Sequence, residues 1–183
     1  AREKIEVGAV LTLHPQLAET LAEAQERYQQ GYRHFSLKVG QSLTRDVECV
    51  AAVRRALGDD VRILVDANAA LAFHDAVALL QRIEPYTIEA AEQPLAAHDI
   101  AGLSDLASRS AIPLVLDESI STSHDLLPVI AQRAAQGINI KTGKNGGVGL
   151  TRQLWQPAHA AGGRGRPGNF PATGPAKVEV ESR

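Results

Sequence analysis

Five charged residues stand at the ends of apolar segments, or just beyond them, at nearly regular intervals along the chain. The segments are SLKVG, ILVDAN, IEAAEQP, LVLDES and INIKTGKNGG, and the charged residues are Lys38, Asp66, Glu92, Asp117 and Lys141. The intervals between them are 28, 26, 25 and 24 residues, each about the length of one strand plus one helix. If the segments are parallel strands, all five side chains lie at the same end of the sheet.

Three of these residues, Asp66, Glu92 and Asp117, would then bring three carboxylates together. Carboxylates at close range repel one another strongly where the dielectric constant is low, and a divalent cation is the usual means of stabilising them. Mg²⁺ prefers hard oxygen ligands in octahedral geometry and keeps positions open for water or substrate. The pattern therefore predicts a Mg²⁺ site. A Cys-rich zinc site is excluded because Cys49 is the only cysteine.

Lys38 and Lys141 lie on the predicted strands at either side of the three acidic ones. They would therefore flank a metal-bound substrate as an acid/base pair. A lysine at its ordinary pKa of about 10.4 is a poor base at neutral pH, but a nearby cation and partial burial lower that pKa. A carboxylate bound to Mg²⁺ has a more acidic α-hydrogen, so the chemistry indicated is removal of a proton next to a carboxylate.

Strand-like apolar segments alternate with helical stretches along most of the chain, which predicts repeated βα units. The six predicted strands cover residues 6–13, 34–39, 62–66, 87–91, 113–116 and 137–140. The predicted helices cover residues 15–30, 43–57, 72–83, 98–109, 123–135 and 148–161. From Gly162 onward the sequence is rich in glycine and proline, so residues 162–183 are expected to be an irregular tail.

The alternation predicts an α/β protein with parallel strands, and by itself it leaves an open doubly wound sheet and a barrel as alternatives. In an open sheet, with strands about 4.8 Å apart, the five charged residues would form a long row. In a barrel the ends of the strands converge on one point. The charged residues therefore favour a TIM-type (β/α) barrel.

Composition excludes several classes of function. The chain has 183 residues and a formal net charge of −2, with no basic patch of the kind that binds nucleic acid. No apolar run approaches the roughly eighteen residues of a membrane helix, and the N-terminal residues lack a signal-peptide layout. We expect a cytoplasmic protein with a small-molecule partner.

The segments SLKVG, VDAN, EQP, DES and NIKTGKNGG, in this order and at these intervals, resemble the barrel of the enolase superfamily. Over residues 6–161 the chain is similar to the muconate-lactonizing-enzyme-like subgroup of the mandelate racemase/muconate lactonizing enzymes. That subgroup includes cycloisomerases, dipeptide epimerases, N-acylamino acid racemases and o-succinylbenzoate synthases. The resemblance implies that Asp66, Glu92 and Asp117 bind Mg²⁺. It also implies that Lys38 is the catalytic base and Lys141 its counterpart, and that both act on a small carboxylate substrate through an enolate intermediate.

The chain departs from the family pattern in three ways. Ser36 stands where the family usually has a lysine two residues before Lys38, on the same face of the strand. The family's N-terminal capping domain and its further strands after the sixth helix are not recognised. We therefore expect an incomplete barrel at residues 1–161, with about six of the usual eight units. Its two unpaired strand edges would favour homo-oligomers.

Three functions remain as hypotheses. The first is a Mg²⁺-dependent isomerase or lyase that racemises, epimerises, cycloisomerises or eliminates after removing a proton α to a carboxylate. The second is a catalytically inactive barrel fragment that keeps the ligands without a closed pocket. The third is an aldolase that forms a Schiff base on Lys38 or Lys141, which leaves the three carboxylates unexplained.

Three residues near the candidate site also have purely structural interpretations. Asn68 is either a turn former or a hydrogen-bond donor to a metal ligand or water. Glu118 follows a candidate ligand, so it is expected to face away from the ligand and to pair with Lys141 or another neighbour. Lys144 is interpreted as a solvated or substrate-side charge.

Overall fold

A computed structural model of the chain describes residues 8–12, 14–160 and 164–167. Its strands form one sheet in which they follow one another in sequence order, and every neighbouring pair is parallel. A doubly wound open sheet reverses its strand order at a switch point, whereas a (β/α) barrel does not. The fold is therefore a partial TIM-type barrel, as predicted. Its strands are β1 (Gly8–Val10), β2 (His34–Lys38), β3 (Arg62–Asp66), β4 (Ala90–Glu92), β5 (Leu114–Leu116), β6 (Gly137–Ile140) and β7 (Arg164–Pro167).

A helix connects each strand to the next. The helices are α1 (Leu17–Gln29), α2 (Leu43–Leu57), α3 (Phe73–Ile83), α4 (Ile100–Arg109), α5 (Ser123–Gln132) and α6 (Val148–Ala160). In α2, for example, Val50, Val53 and Leu57 recur at helical spacing and are buried. The helix ends at Gly58, whose φ of +78° is readily adopted by glycine. None of the helices in the described part of the chain is long and apolar enough to cross a membrane.

Buried apolar side chains divide into two clusters on the two faces of the sheet. The larger joins alternate strand residues, such as Ile63 and Val65, to the apolar stripes of the helices. The smaller contains only Leu64, Ala90 and Val115, one residue from each of three neighbouring strands. Since successive side chains of a strand alternate between its faces, this smaller cluster marks the inner face of the barrel.

Most predicted element boundaries are confirmed within one or two residues. The clearest shift concerns β4, predicted at residues 87–91 and found at Ala90–Glu92. A short 3₁₀ helix, Glu84–Tyr86, and the left-handed conformation of Thr87 delay the start of this strand. In the same way α5 ends at Gln132 rather than at residue 135, because Arg133 adopts a left-handed conformation.

The glycine- and proline-rich segment contains a strand that the sequence did not predict. Arg164–Pro167 pairs in parallel with β6, so the irregular conformation expected for residues 162–183 does not hold for these four residues. Backbone hydrogen bonding, which leaves no periodic sequence signal over so short a length, accounts for the difference. Residues 1–7, 13, 161–163 and 168–183, which include the rest of the expected tail, lie outside the described residues.

Candidate active site

The three acidic residues lie on the inner face of the barrel, at the carboxyl ends of consecutive strands. Asp66, Glu92 and Asp117 each follow a member of the inner apolar cluster by two residues, so they share its face. Asp66 and Glu92 are paired in the register of β3 and β4. All three are buried, at 6%, 7% and 3% exposure. The sequence thus placed the candidate ligands on one surface of the sheet.

Lys38 continues this row onto β2. It is paired in register with Asp66, and its Nζ donates hydrogen bonds to Asp66 Oδ2 and to Asn68 Oδ1, both at 2.6 Å. Asp66 Oδ1 accepts a further hydrogen bond, at 2.9 Å, from the backbone N–H of Asn68. The ammonium group of Lys38 is therefore held directly over the first of the candidate ligands.

Glu92 is buried between two other acidic side chains, Asp66 and Asp117, which both affect its pKa. Its Oε1 accepts a hydrogen bond of 2.6 Å from Asn139 Nδ2, which reaches it from β6 across the intervening strand β5. Burial, and then the negative charge of Asp66, raise the pKa of Glu92 to about 7, and Asp117 adds to this effect. The hydrogen bond from Asn139 and the charge of Lys141 oppose the rise without cancelling it.

Asp117 is the most strongly neutralised of the three carboxylates. Lys141 donates to its Oδ2 and Lys144 to its Oδ1, and Lys144 also donates to the backbone oxygen of Asp117 at 2.6 Å. Burial alone would raise the pKa of Asp117, but these hydrogen bonds and the two positive charges hold it below its usual value. This explains how the residue can be buried and remain charged.

Lys141 has a pKa above its usual value. Burial lowers the pKa, but the hydrogen bond and charge of Asp117, with smaller contributions from Glu92 and Glu118, outweigh burial. The sequence argument expected a nearby cation to lower the pKa of this lysine. Because its charged neighbours here are carboxylates, the shift has the opposite sign.

Gln93 is a buried residue beside the candidate site that the sequence analysis missed. It is fully buried, and its Oε1 accepts hydrogen bonds from the backbone N–H groups of Asp117 at 3.0 Å and Ser119 at 3.1 Å. Its Nε2 donates to Leu95 O at 3.0 Å and to Ser119 Oγ at 2.7 Å. The amide uses both donors and both acceptor positions to tie the end of β4 to the loop after β5. Its place beside Glu92 in the EQP segment was the available signal.

Asn139 and Lys144 were also missed or set aside. Asn139 is two residues before Lys141 on β6, and the period-2 alternation of a strand could have placed it on the inner face. Lys144 was interpreted as a solvated or substrate-side charge, yet its side chain is only 15% exposed and is bound to Asp117. Its position in the turn after β6 carries no periodic signal, so only the folded backbone brings it to that carboxylate.

Glu118, Asn68 and Ser36 can now be placed as well. Glu118 pairs with a neighbour, as expected, and the neighbour is Asn68, whose Nδ2 donates to Glu118 Oε1 at 3.0 Å. Both alternatives for Asn68 are present, because it occupies a left-handed turn position with a φ of +44° and its N–H binds Asp66. Ser36 is paired with Leu64, whose side chain marks the inner face, so it occupies the inward position expected for it.

Within residues 8–12, 14–160 and 164–167, no three His, Cys, Asp or Glu side chains are already gathered closely enough to enclose a metal ion. Each candidate ligand is instead bonded to a nitrogen donor. Asp66 binds Lys38, Glu92 binds Asn139, and Asp117 binds Lys141 and Lys144. The arrangement is three acidic side chains on neighbouring strands with lysine amines at both flanks.

The chain is similar in sequence to a described family of proteins. Residues 19–180 match the family model for the enolase C-terminal domain-like family. The chain is 37% identical over 158 residues to an N-succinylamino acid racemase from Amycolatopsis sp, an alignment that covers 86% of this chain and 41% of the racemase.

Two solved structures have the same fold. The N-succinyl Arg/Lys racemase from Bacillus cereus superposes with a TM-score of 0.89 at 30% identity, covering 93% of this chain and 46% of that one. A dipeptide epimerase from Cytophaga hutchinsonii, solved with Mg and the dipeptide D-Ala-L-Val, gives a TM-score of 0.85 at 26% identity, with coverages of 90% and 45%. The chain thus spans less than half the length of the relatives it matches.

Proposed function

The chain belongs to the enolase C-terminal domain-like family, and on that premise we propose that it binds Mg²⁺ at Asp66, Glu92 and Asp117. We further propose that it takes part in removing a proton α to the carboxylate of a small substrate, leading to racemisation or epimerisation. The observation that carries this proposal is the row of three buried carboxylates at the ends of β3 and β4 and directly after β5, with Lys38 on β2 and Lys141 after β6.

The residues present fit a hard divalent cation. The three carboxylates are the oxygen donors that Mg²⁺ prefers. Burial, and then the negative charge of Asp66, raise the pKa of Glu92, so a cation beside this carboxylate would offset part of the cost of burying its charge. Two buried acceptor atoms, Asn139 Oδ1 and Glu118 Oε2, have no hydrogen-bond donor among the residues that the structure describes. Asn139 contacts the candidate ligand Glu92, and Glu118 follows the candidate ligand Asp117. Such a surplus of acceptors favours a positively charged ligand.

Mg²⁺ held by Asp66, Glu92 and Asp117 would make the α-hydrogen of a nearby carboxylate substrate more acidic. The chain's own contribution is the placement of two amines. Lys38 and Lys141 stand at opposite flanks of the acidic row, so a substrate above that row has one amine on each side. One lysine, as a neutral amine, would remove the α-proton, and the other, as an ammonium, would donate a proton of its own to the opposite face, which inverts the configuration at the α-carbon.

The lysines must exchange partners for this to occur. A lysine acts as a base only when its amine is neutral, and Asp117 opposes loss of the proton because it raises the pKa of Lys141. Neutralising the negative charge of Asp117 removes that obstacle. The same carboxylate thus serves as a candidate metal ligand and as the group that controls the charge of the lysine.

The relatives indicate the class of substrate. The matched proteins include an N-succinylamino acid racemase and a dipeptide epimerase, so we propose an acylated amino acid or a dipeptide as the substrate. Both have an acidic α-hydrogen next to a carbonyl carbon.

The test is exchange of the α-hydrogen for deuterium in D₂O, monitored by proton NMR. The full chain is incubated with N-succinylamino acids, dipeptides and muconate in turn. The proposal predicts Mg²⁺-dependent loss of the α-proton signal for at least one acylated amino acid or dipeptide. Magnesium binding without exchange on any compound would support the inactive-fragment hypothesis instead. Borohydride trapping of a substrate carbonyl on lysine would support the aldolase hypothesis.

A further inference from the structure

Lys38 is held by a second partner besides the candidate ligand Asp66. Its Nζ lies 2.6 Å from Asn68 Oδ1, in the turn directly after β3. A lysine side chain has four rotatable bonds, and that of Lys38 is 31% exposed, so packing alone does not fix its amine. The hydrogen bond to Asn68 supplies a second fixed point.

The two partners differ in their other proposed roles. Asp66 is also proposed to bind the cation, whereas Asn68 is not. The amide oxygen of Asn68 is neutral and accepts a hydrogen bond from an ammonium or from a neutral amine. Asn68 can therefore keep the nitrogen in place when Asp66 has another partner.

The orientation of the Asn68 amide is set by Glu118. The Asn68 Nδ2 donates to Glu118 Oε1 at 3.0 Å, and an ionised carboxylate is an acceptor only. This bond turns the amide nitrogen toward Glu118 and the amide oxygen toward Lys38. A flipped amide would bring an N–H group against the ammonium and would break both hydrogen bonds.

The backbone supports the same arrangement. Asn68 has a φ of +44°, a conformation that asparagine tolerates better than most residues, and its N–H donates to Asp66 Oδ1. The hydrogen bond between Asn68 and Glu118 thus links the loops after β3 and β5, the two strands beside β4. The hydrogen bond from Lys38 to Asn68 extends this link to β2.

We propose that Asn68 and Glu118 are a positioning pair that fixes the amine of Lys38, with Glu118 acting through the Asn68 amide. The role in catalysis rests on the proposed function, whereas the fixing of the amine is measured separately. The chain has only five lysines, so the side-chain NMR signals of Lys38 can be assigned from single-lysine variants.

The test compares matched variants of the full chain. Asn68→Gly removes the amide and tolerates the positive φ, and Ala69→Gly is its control because Ala69 occupies the next position of the same turn with a φ of +63°. Glu118→Gln keeps an oxygen acceptor for Asn68, whereas Glu118→Met removes it. Backbone NMR spectra identify variants that fold like the parent.

We expect the Lys38 Cε order parameter to fall well below the parent value in Asn68→Gly and Glu118→Met, and to stay at the parent value in Ala69→Gly and Glu118→Gln. Where the parent exchanges α-protons, kcat falls about tenfold in the same two variants while KM changes less than twofold. An unchanged Lys38 order parameter in Asn68→Gly, or equal effects of Glu118→Gln and Glu118→Met, would overturn the proposal. Absence of exchange in the parent, with the NMR contrast intact, would defeat the proposed function but not the positioning of the amine.

Discussion

Asp66 and Glu92 are paired across two neighbouring parallel strands, and burial together with the negative charge of Asp66 raises the pKa of Glu92 to about 7. The pairing follows from the register of β3 and β4, which sets Leu64 beside Ala90 two residues earlier. Two acidic side chains buried in one row repel each other when both are ionised. This repulsion has measurable consequences for stability and for ion binding.

The stability of the metal-free protein should fall as the pH rises from about 4.5 to about 7. The folded protein holds a proton on Glu92 in this range that the unfolded chain has released, so raising the pH favours unfolding. The full effect is about 3 kcal/mol. Urea denaturation at several pH values in the presence of EDTA measures it.

The control for this pH dependence is Glu92→Gln, which removes the titrating group and should flatten the stability curve over the same range. The lowered pKa of Asp117 acts at lower pH, where its stabilising contribution is lost as the carboxylate becomes protonated below about 4. If the stability of the parent does not fall relative to that of Glu92→Gln between pH 4.5 and 7, the pKa of Glu92 is not raised in the folded protein.

Gln93→Met should destabilise the fold by about 2–4 kcal/mol, because it leaves the buried N–H groups of Asp117 and Ser119 without their acceptor. Chemical denaturation measures the loss. Gln81→Met is the matched control, since Gln81 is exposed on α3, and it should change stability by less than about 0.5 kcal/mol. Equal effects of the two substitutions would mean that the Gln93 amide does not connect β4 to the loop after β5.

Lys38→Ala and Lys141→Ala should each lower α-proton exchange by about a hundredfold or more, with opposite preferences for the two enantiomers of the substrate. The reason is that the two amines stand on opposite flanks of the acidic row. Exchange in D₂O measured separately on each enantiomer provides the test. Arg55→Ala, at an exposed position of α2, is the control. Loss of the same enantiomer's exchange in both lysine variants would contradict placement on opposite faces.

The sequence predicted the fold well because the information it used was periodic. The apolar stripe of α2 and the alternation around β3 depend on repeated spacing, and their predicted boundaries agree with the structure. The spacing of the five charged residues placed them at one end of the sheet. They favoured the barrel because the strand ends of a barrel converge and bring such residues together. β7 was missed because its residues pair through the backbone and have no apolar pattern.

The candidate site was predicted less completely, for a physical reason. Residues such as Asp66 that end a strand have a fixed face and a fixed position, so sequence spacing locates them. Gln93, Lys144 and Asn68 reach their partners from turns, where backbone conformations such as the φ of +36° at Gln93 decide the direction of the side chain. The orientation of a turn residue is a property of the folded chain that spacing does not encode.

The central claim is that Asp66, Glu92 and Asp117 bind one divalent cation, and Mg²⁺ titration by calorimetry tests it most directly. The account predicts binding at one site per chain that weakens about tenfold or more in Asp66→Asn, Glu92→Gln and Asp117→Asn. It predicts no change in Asp105→Asn, which alters an exposed carboxylate that pairs with Arg109 on α4. Binding of Mg²⁺ by Asp117→Asn as tightly as by the parent would contradict the claim.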